Sequence, residues 1–358
     1  MTSQAMRSFI WALLLVGCES APIIEQRDLA VAPNDDAARF AAHDKVDILF
    51  MIDNSGIGAM HALLLQHLPD LTAALDAQKT THPASYHIGV VTSDLGAPGI
   101  SCGENDGAKL QAIGAAADHG CLPPIGARFI EIDQSSGSTN LPATQDLNAT
   151  LGCMTSVGVM GCGLEAQLES VYRALHDPIP ETVGFLREDA LLVVLFLTDE
   201  DDCSLPPDSD LGDGSAAAVA RYGELSSFRC TRFGIACGNP AMMLPKAQTS
   251  ASFTNCRPLT QAEGGKPLDV QKYVDYFARS GGVKTDPSDV ILASIAAPPT
   301  PFAVAVNPAS YYAINSCIGP DDGVTCSERL QPSCTNPRGF PFGDRKRSPP
   351  RDGIRLTA

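Results

Sequence analysis

Two acidic segments in this sequence each close an apolar run. Val46-Asp47-Ile48-Leu49-Phe50-Met51-Ile52 ends in Asp53-Asn54-Ser55-Gly56, and Ala190-Leu191-Leu192-Val193-Val194-Leu195-Phe196-Leu197 ends in Thr198-Asp199-Glu200-Asp201-Asp202-Cys203. If the two ends meet, Asp53, Ser55 and Asp199 bring two carboxylates and a hydroxyl to one point. Hard divalent cations such as Mg²⁺ and Ca²⁺ take oxygen ligands of this kind. The same residue types also form turns and cap helices, and spacing alone does not separate the two uses.

Other candidate chemistry is weaker. Asp208-Ser209-Asp210-Leu211-Gly212-Asp213-Gly214 partly resembles a calcium loop, but its spacing departs from D-x-D-x-D-G and no Glu stands twelfth from Asp208. His43, His61, His67, His82, His87, His119 and His176 form no metal-binding pair on a helix face, and no G-x-S-x-G elbow is present. His87 lies inside an apolar strand run and reads as a packing residue. The acids at 199–202 would suit a two-metal nuclease, but the net charge is -16, and phosphate binding needs a basic face. The chain is therefore expected to be neither an enzyme nor a nucleic-acid binder.

The elements that must position these groups follow from hydrophobic pattern. The run 46–52 is mainly apolar and 190–197 continuously so, as in strands buried on both faces of a parallel sheet. Tyr86 to Thr92 and Val290 to Ile295 are two more such strands, and Arg128 to Ile132 is a short one, expected at the sheet edge. Met60, Leu63, Leu64, His67, Leu68, Leu71 and Leu75 recur at helical spacing. So do Leu164, Leu168, Val171, Tyr172 and Leu175, and residues 270–278 form a further helix. Strands alternating with helices predict an α/β doubly wound, mostly parallel sheet with helices on both faces. Ligands of such sheets bind at the carboxyl ends of the strands, where Asp53 and Asp199 fall. The 31 glycines and 27 prolines predict long loops, the longest a disulfide-tied excursion over 204–265.

The sequence resembles the von Willebrand factor A domain, in particular a group of bacterial surface lipoproteins abundant in myxobacteria and their relatives. The resemblance rests on Val46 to Gly56, Val90-Val91-Thr92-Ser93-Asp94-Leu95-Gly96 and Phe196 to Ser204, and it spans 45–335. It implies a metal-ion-dependent adhesion site with an Asp-x-Ser-x-Ser loop, a Thr and a second Asp. Asp53, Ser55 and Asp199 match three of these groups. Ile57 stands where the second Ser belongs, and Met160-Gly161-Cys162-Gly163 supplies no hydroxyl for the Thr, so the site is degenerate. Mg or Ca is the cofactor this resemblance allows.

The start of the chain carries Arg7, an apolar run from Phe9 to Val16, and Gly17-Cys18. The run is too short to span a bilayer. Leu15-Val16-Gly17-Cys18 resembles the lipobox of bacterial lipoproteins, which implies cleavage of a signal peptide over 1–17, lipidation of Cys18 and attachment to a membrane. The alternative is an ordinary secretory signal with a chance cysteine. Glu19 favours the outer membrane or cell surface of a Gram-negative envelope. Residues 18–44 would be anchor and linker.

Reserving Cys18 leaves eleven of twelve cysteines. In an exported protein these read as disulfides, and pairing by proximity gives Cys102–Cys121, Cys153–Cys162, Cys203–Cys230, Cys237–Cys256 and Cys317–Cys326, with Cys334 unpaired. Residues 336–358 are basic and proline-rich, where the resembling proteins continue into a cysteine-bearing helix. A frameshift or early stop is one expectation; a natural tail with a free thiol is the other. The whole predicts an envelope module that binds a protein or surface ligand, or else a structural envelope lipoprotein with a metal-free vestigial site.

Overall fold

The computed structural model describes residues 40, 42–55, 58–80, 82–100, 105–223, 225–244, 251–296, 302–308 and 326–330. The signal peptide, Cys18, Ile57, Cys102, Cys317, Cys334 and the tail 336–358 lie outside them. So does the side chain of Cys326.

In chain order the elements are β1 (Lys45–Ile52), α1 (Gly58–Gln78), β2 (Ser85–Thr92), β3 (Ile130–Asp133), β4 (Ser138–Thr139), α2 (Leu147–Thr155), α3 (Gln167–His176) and β5 (Leu191–Leu197). Then come α4 (Ala216–Tyr222), α5 (Phe228–Gly234), β6 (Ile235–Cys237), β7 (Met242–Met243), β8 (Ala251–Phe253), β9 (Arg257–Pro258), α6 (Val270–Ala278), β10 (Val290–Ile295), β11 (Phe302–Pro308) and β12 (Cys326–Leu330). The main sheet has six strands in the order β10-β5-β1-β2-β3-β4. β10, β5, β1 and β2 run parallel, and β3 and β4 are antiparallel to their neighbours.

Alternation along β1 explains the layers. Val46, Ile48, Phe50 and Ile52 face α1 and α2 through Leu64, Leu68, Leu75, Leu151 and Met154. Leu49 and Met51 face α3 and α6 through Val171, Ala174, Tyr273 and Phe277. Helices therefore cover both faces, as a parallel sheet requires. No helix among the described residues is long and apolar enough to cross a membrane.

Two strand expectations are corrected. The short strand covers Ile130–Asp133 and is not the edge, because the Ser138–Thr139 pair of β4 lies outside it. β10 was expected to be buried, but it forms the opposite edge, and Leu292 is 50% exposed. An apolar run marks a strand without saying how many neighbours it has.

The excursion over 204–265 contains α4, α5 and β6 to β9, with the three-stranded sheet β7-β6-β9 inside it. Buried Arg229 organises its first part by donating to the carbonyls of Leu211 (2.6 Å), Asp213 (2.8 Å) and Gly223 (2.6 Å). The acids of the weak calcium-loop candidate bond within the excursion and to Lys266. Asp210 accepts from the Tyr222 hydroxyl and from Lys266 Nζ at 3.2 Å, and Asp213 accepts from the backbone of Ser215.

Disulfides join Cys121 to Cys153, Cys203 to Cys230 and Cys237 to Cys256. The last two match the proximity pairing. The expected Cys102–Cys121 and Cys153–Cys162 do not form, because the loop carrying Cys121 lies along α2. Gly114 N donates to Cys153 O at 2.9 Å, Ala116 N to Ser156 O at 2.8 Å, and Leu122 N to Gln145 Oε1 at 2.7 Å. A Cβ at Gly114 would stand 2.2 Å from Ser156 O, so this approach requires glycine. Cys162 is also disulfide-bonded, and it lies near the strand ends, where its N–H donates to Asp94 at 3.2 Å.

At the amino-terminal end of the sheet, fully buried Asp47 accepts from Arg187 N and Nε, both at 2.7 Å. The same guanidinium donates to Ser85 Oγ, Ser85 O and Val46 O. One residue just before β5 thus ties β1 and β2 together. Burial holds the Asp47 carboxyl above the usual range despite these bonds. His87 packs beside it, with Nδ1 2.8 Å from Phe185 O and its ring 4.9 Å from Phe129, as expected of a packing histidine. Removing one member of a buried pair strands the other charge, so Arg187→Met should lower unfolding free energy by about 3–5 kcal/mol in urea denaturation.

Candidate functional site

β1 leads to β2 on one side, and β5 joins β1 on the other. The carboxyl ends of β1 and β5 therefore border the point where strand order reverses, which is where open α/β sheets form a crevice. Four loops meet there. Asp53 N donates to Leu197 O at 2.9 Å, extending the β1–β5 ladder by one bond. Ser55 bridges Met160, and Gly161 N donates to Asn54 O at 2.7 Å. A Cβ on Gly161 would stand 2.3 Å from Asn54 Oδ1, so a larger residue there would have to displace the Asn54 side chain. Ala166 N donates to Ser93 O at 2.9 Å, and Cys203 N to Glu165 O at 2.7 Å.

Asp53 is fully buried at the centre. Its Oδ1 accepts from Ser55 N at 2.8 Å and from Ser93 Oγ at 3.4 Å, and its Oδ2 accepts from Thr198 Oγ1 at 2.8 Å. Thr198 Oγ1 itself accepts from Gln167 Nε2 (2.9 Å) and Glu200 N (3.1 Å), which leaves its proton for Asp53. Burial pushes the Asp53 carboxyl up to about 6, against the pull of these hydrogen bonds.

Glu165, which the sequence reading missed, stands beside it. The residue is 1% exposed, and its Oε1 accepts from Ser55 Oγ. Its Oε2 is buried without a hydrogen-bond partner, as are Asn54 Oδ1 and Gln167 Oε1. Burial first, then the charges of Asp53 and Asp199, hold Glu165 well above the ordinary carboxylate range. Asp53 and Glu165 bond to hydroxyls and backbone N–H groups, not to basic side chains.

The predicted trio is brought to one loop cluster. Asp53 and Ser55 touch directly, while Asp199 donates its backbone N–H to Asp53 and adds its charge to Glu165 and Glu200. Among the described residues no three His, Cys, Asp or Glu side chains stand at the mutual spacing of a ready metal cluster. The hydroxyl sought in Met160-Gly161-Cys162-Gly163 is absent, and the carboxylate of Glu165, further along that loop, reaches Ser55 instead. Its signal was a lone acid between Leu164 and Ala166 at the mouth of an amphipathic helix. Ser93 and Thr198 were also missed, because a hydroxyl at a strand end carries no distinguishing spacing.

A neighbouring acid pair braces the loops. Asp94 accepts from Gly96 N at 2.8 Å and Cys162 N at 3.2 Å, and Asp106 accepts from Thr92 Oγ1 at 2.5 Å and Asn54 Nδ2 at 3.2 Å. The acids after β5 divide their work. Asp201 accepts from the Thr231 hydroxyl on α5. Asp202 accepts from Leu168 N at 2.9 Å, and Glu169 N donates to Ser204 Oγ at 3.1 Å. The β5 loop thereby caps α3, whose own N-cap residue, Ala166, has no side-chain cap.

Two outcomes follow from this geometry. Asp202→Ala should cost about 1 kcal/mol of stability in urea denaturation, the usual value of a lost cap. A carboxyl whose pKa is raised on folding stabilises the fold below its unfolded value and loses that contribution as pH rises through its folded value. For Asp53 that window ends near 6. In chelator, Asp53→Asn should therefore raise the melting temperature relative to wild type at pH 7.5 and give no such gain at pH 4. No protein-family model, curated protein or solved structure matches the chain.

Proposed function

We propose that this chain is a lipid-anchored, von Willebrand A-like binding module of a bacterial cell envelope. It captures a protein or surface ligand at the carboxyl ends of its strands, with a divalent cation, Mg²⁺ or Ca²⁺, at Asp53, Ser55 and Asp199. Cys18 carries the lipid and sets the location at the outer membrane or cell surface. The module is not an enzyme and does not bind nucleic acid.

One observation carries the cation reading. Asp53 is buried at the strand-order switch among Ser55, Ser93 and Thr198, next to a buried carboxylate with an unpartnered oxygen and without a basic partner. A buried anion so placed is costly unless it is paired or coordinates a metal. The residues present therefore fit a hard cation, which would neutralise the charge and tie the loops together. Beside it, Met160, which forms an isolated bridge with Ser55, is 90% exposed and offers an apolar contact at the rim of the site.

A second reading, a structural envelope lipoprotein with a metal-free vestigial site, is supported by the hydrogen bonds that already occupy Asp53 and one oxygen of Glu165. Cation titration separates the two. On the first reading Mg²⁺ or Ca²⁺ raises the melting temperature at pH 7.5, and Asp53→Ala abolishes the rise. A wild-type chain indifferent to both ions would favour the structural reading.

A further inference from the structure

We infer that Glu165 is a ligand of this cation, and that it makes the site a closed, calcium-type site instead of an open one completed by an acidic group from a partner. The inference rests on the cation-binding reading of Asp53, Ser55 and Asp199.

The first argument is the unpartnered oxygen. Glu165 is 1% exposed and its Oε2 has no hydrogen-bond partner. A buried unsatisfied acceptor costs about 1–3 kcal/mol, and more when charged. Asn54 Oδ1 and Gln167 Oε1, on residues of the same loop cluster, are orphaned acceptors too. Buried oxygens that the surrounding donors leave unmatched are what a bare cation satisfies.

The second argument is position. The backbone of Glu165 is pinned from two sides, by Cys203 N on its carbonyl and by the Ala166 N bond to Ser93 O. These bonds hold its side chain against Ser55, on the same loop as Asp53. The acids are not at ready cluster spacing, so holding an ion would require their side chains to shift, with Ser55 Oγ released from Glu165 to join them.

The third argument is charge. Asp53, Glu165 and Asp199 supply three negative charges against two positive ones, so the filled site keeps a net negative charge. Such a site does not attract a partner's carboxylate. Ca²⁺ accepts six to eight oxygens in loose geometry, whereas Mg²⁺ demands a near-ideal octahedron and keeps several waters. Carboxylates mixed with neutral amide oxygens suit calcium.

Calorimetric titration of the purified full chain with Ca²⁺ and Mg²⁺, together with Tb³⁺ luminescence lifetimes in H₂O and D₂O, tests this. Wild type should bind Ca²⁺ more tightly than Mg²⁺, and its Tb³⁺ should keep about two inner-sphere waters or fewer, against about four or more in an open site. Glu165→Gln, which retains shape and loses charge, should weaken Ca²⁺ at least about tenfold. Its melting temperature in chelator should be no lower than that of wild type, which shows that it folds. Calcium binding that survives Glu165→Gln unchanged, a preference for Mg²⁺, or a heavily hydrated Tb³⁺ would each overturn the inference while leaving cation binding intact. A wild-type chain that binds no ion would overturn both.

Discussion

The arrangement at Asp53 depends on one constraint: β1 is paired in parallel with β2 on one side and β5 on the other. Parallel neighbours need crossovers, and crossovers lay helices on both faces. Every residue of β1 after Lys45 is consequently buried, and the polar groups of the connecting loops are forced to the strand ends. Acids occur at both ends of this strand and meet different fates. Asp47 is clamped by a guanidinium that also bonds its neighbouring strand, whereas Asp53 is met by hydroxyls and backbone N–H groups. The first is a paired charge that is costly to break. The second holds unneutralised negative charge in a buried position, and that charge is the basis for assigning a ligand.

Much of the sheet was legible in the sequence because burial on two faces leaves a continuous apolar run. β1, β2 and β5 stand where those runs stand, and α1 follows from leucines at helical spacing, of which Leu64, Leu68 and Leu75 are buried. Periodicity reports burial, not neighbours. It could not reveal that β10 is an edge with Leu292 half exposed, or that a two-residue strand closes the other edge.

The site was legible in part for a related reason. Strand ends are visible, so Asp53, Ser55 and Asp199 could be named. Glu165 comes from a loop whose path depends on Gly161 passing close to Asn54 and on the backbone bonds to Ser93 and Cys203, and no local pattern encodes that path. The disulfides divide in the same way. Cys203–Cys230 and Cys237–Cys256 close compact excursions and match proximity, while Cys121–Cys153 joins segments brought together only by tertiary hydrogen bonds.

The capping of α3 by Asp202 bears on how the acidic run after β5 should be compared with other sequences. Glu200, Asp201 and Asp202 look like one patch of charge with Asp199, yet their carboxylates serve different neighbours: the Ser227 side chain, a threonine on α5, and the first turn of α3, while Asp199 meets Asp53 through its backbone N–H. A chain that kept four acids in this stretch but slid them by one residue would preserve its isoelectric point and lose the side-chain assignments of Glu200, Asp201 and Asp202. Charge counts across this segment therefore carry no information about kinship of function; only alignment in register does.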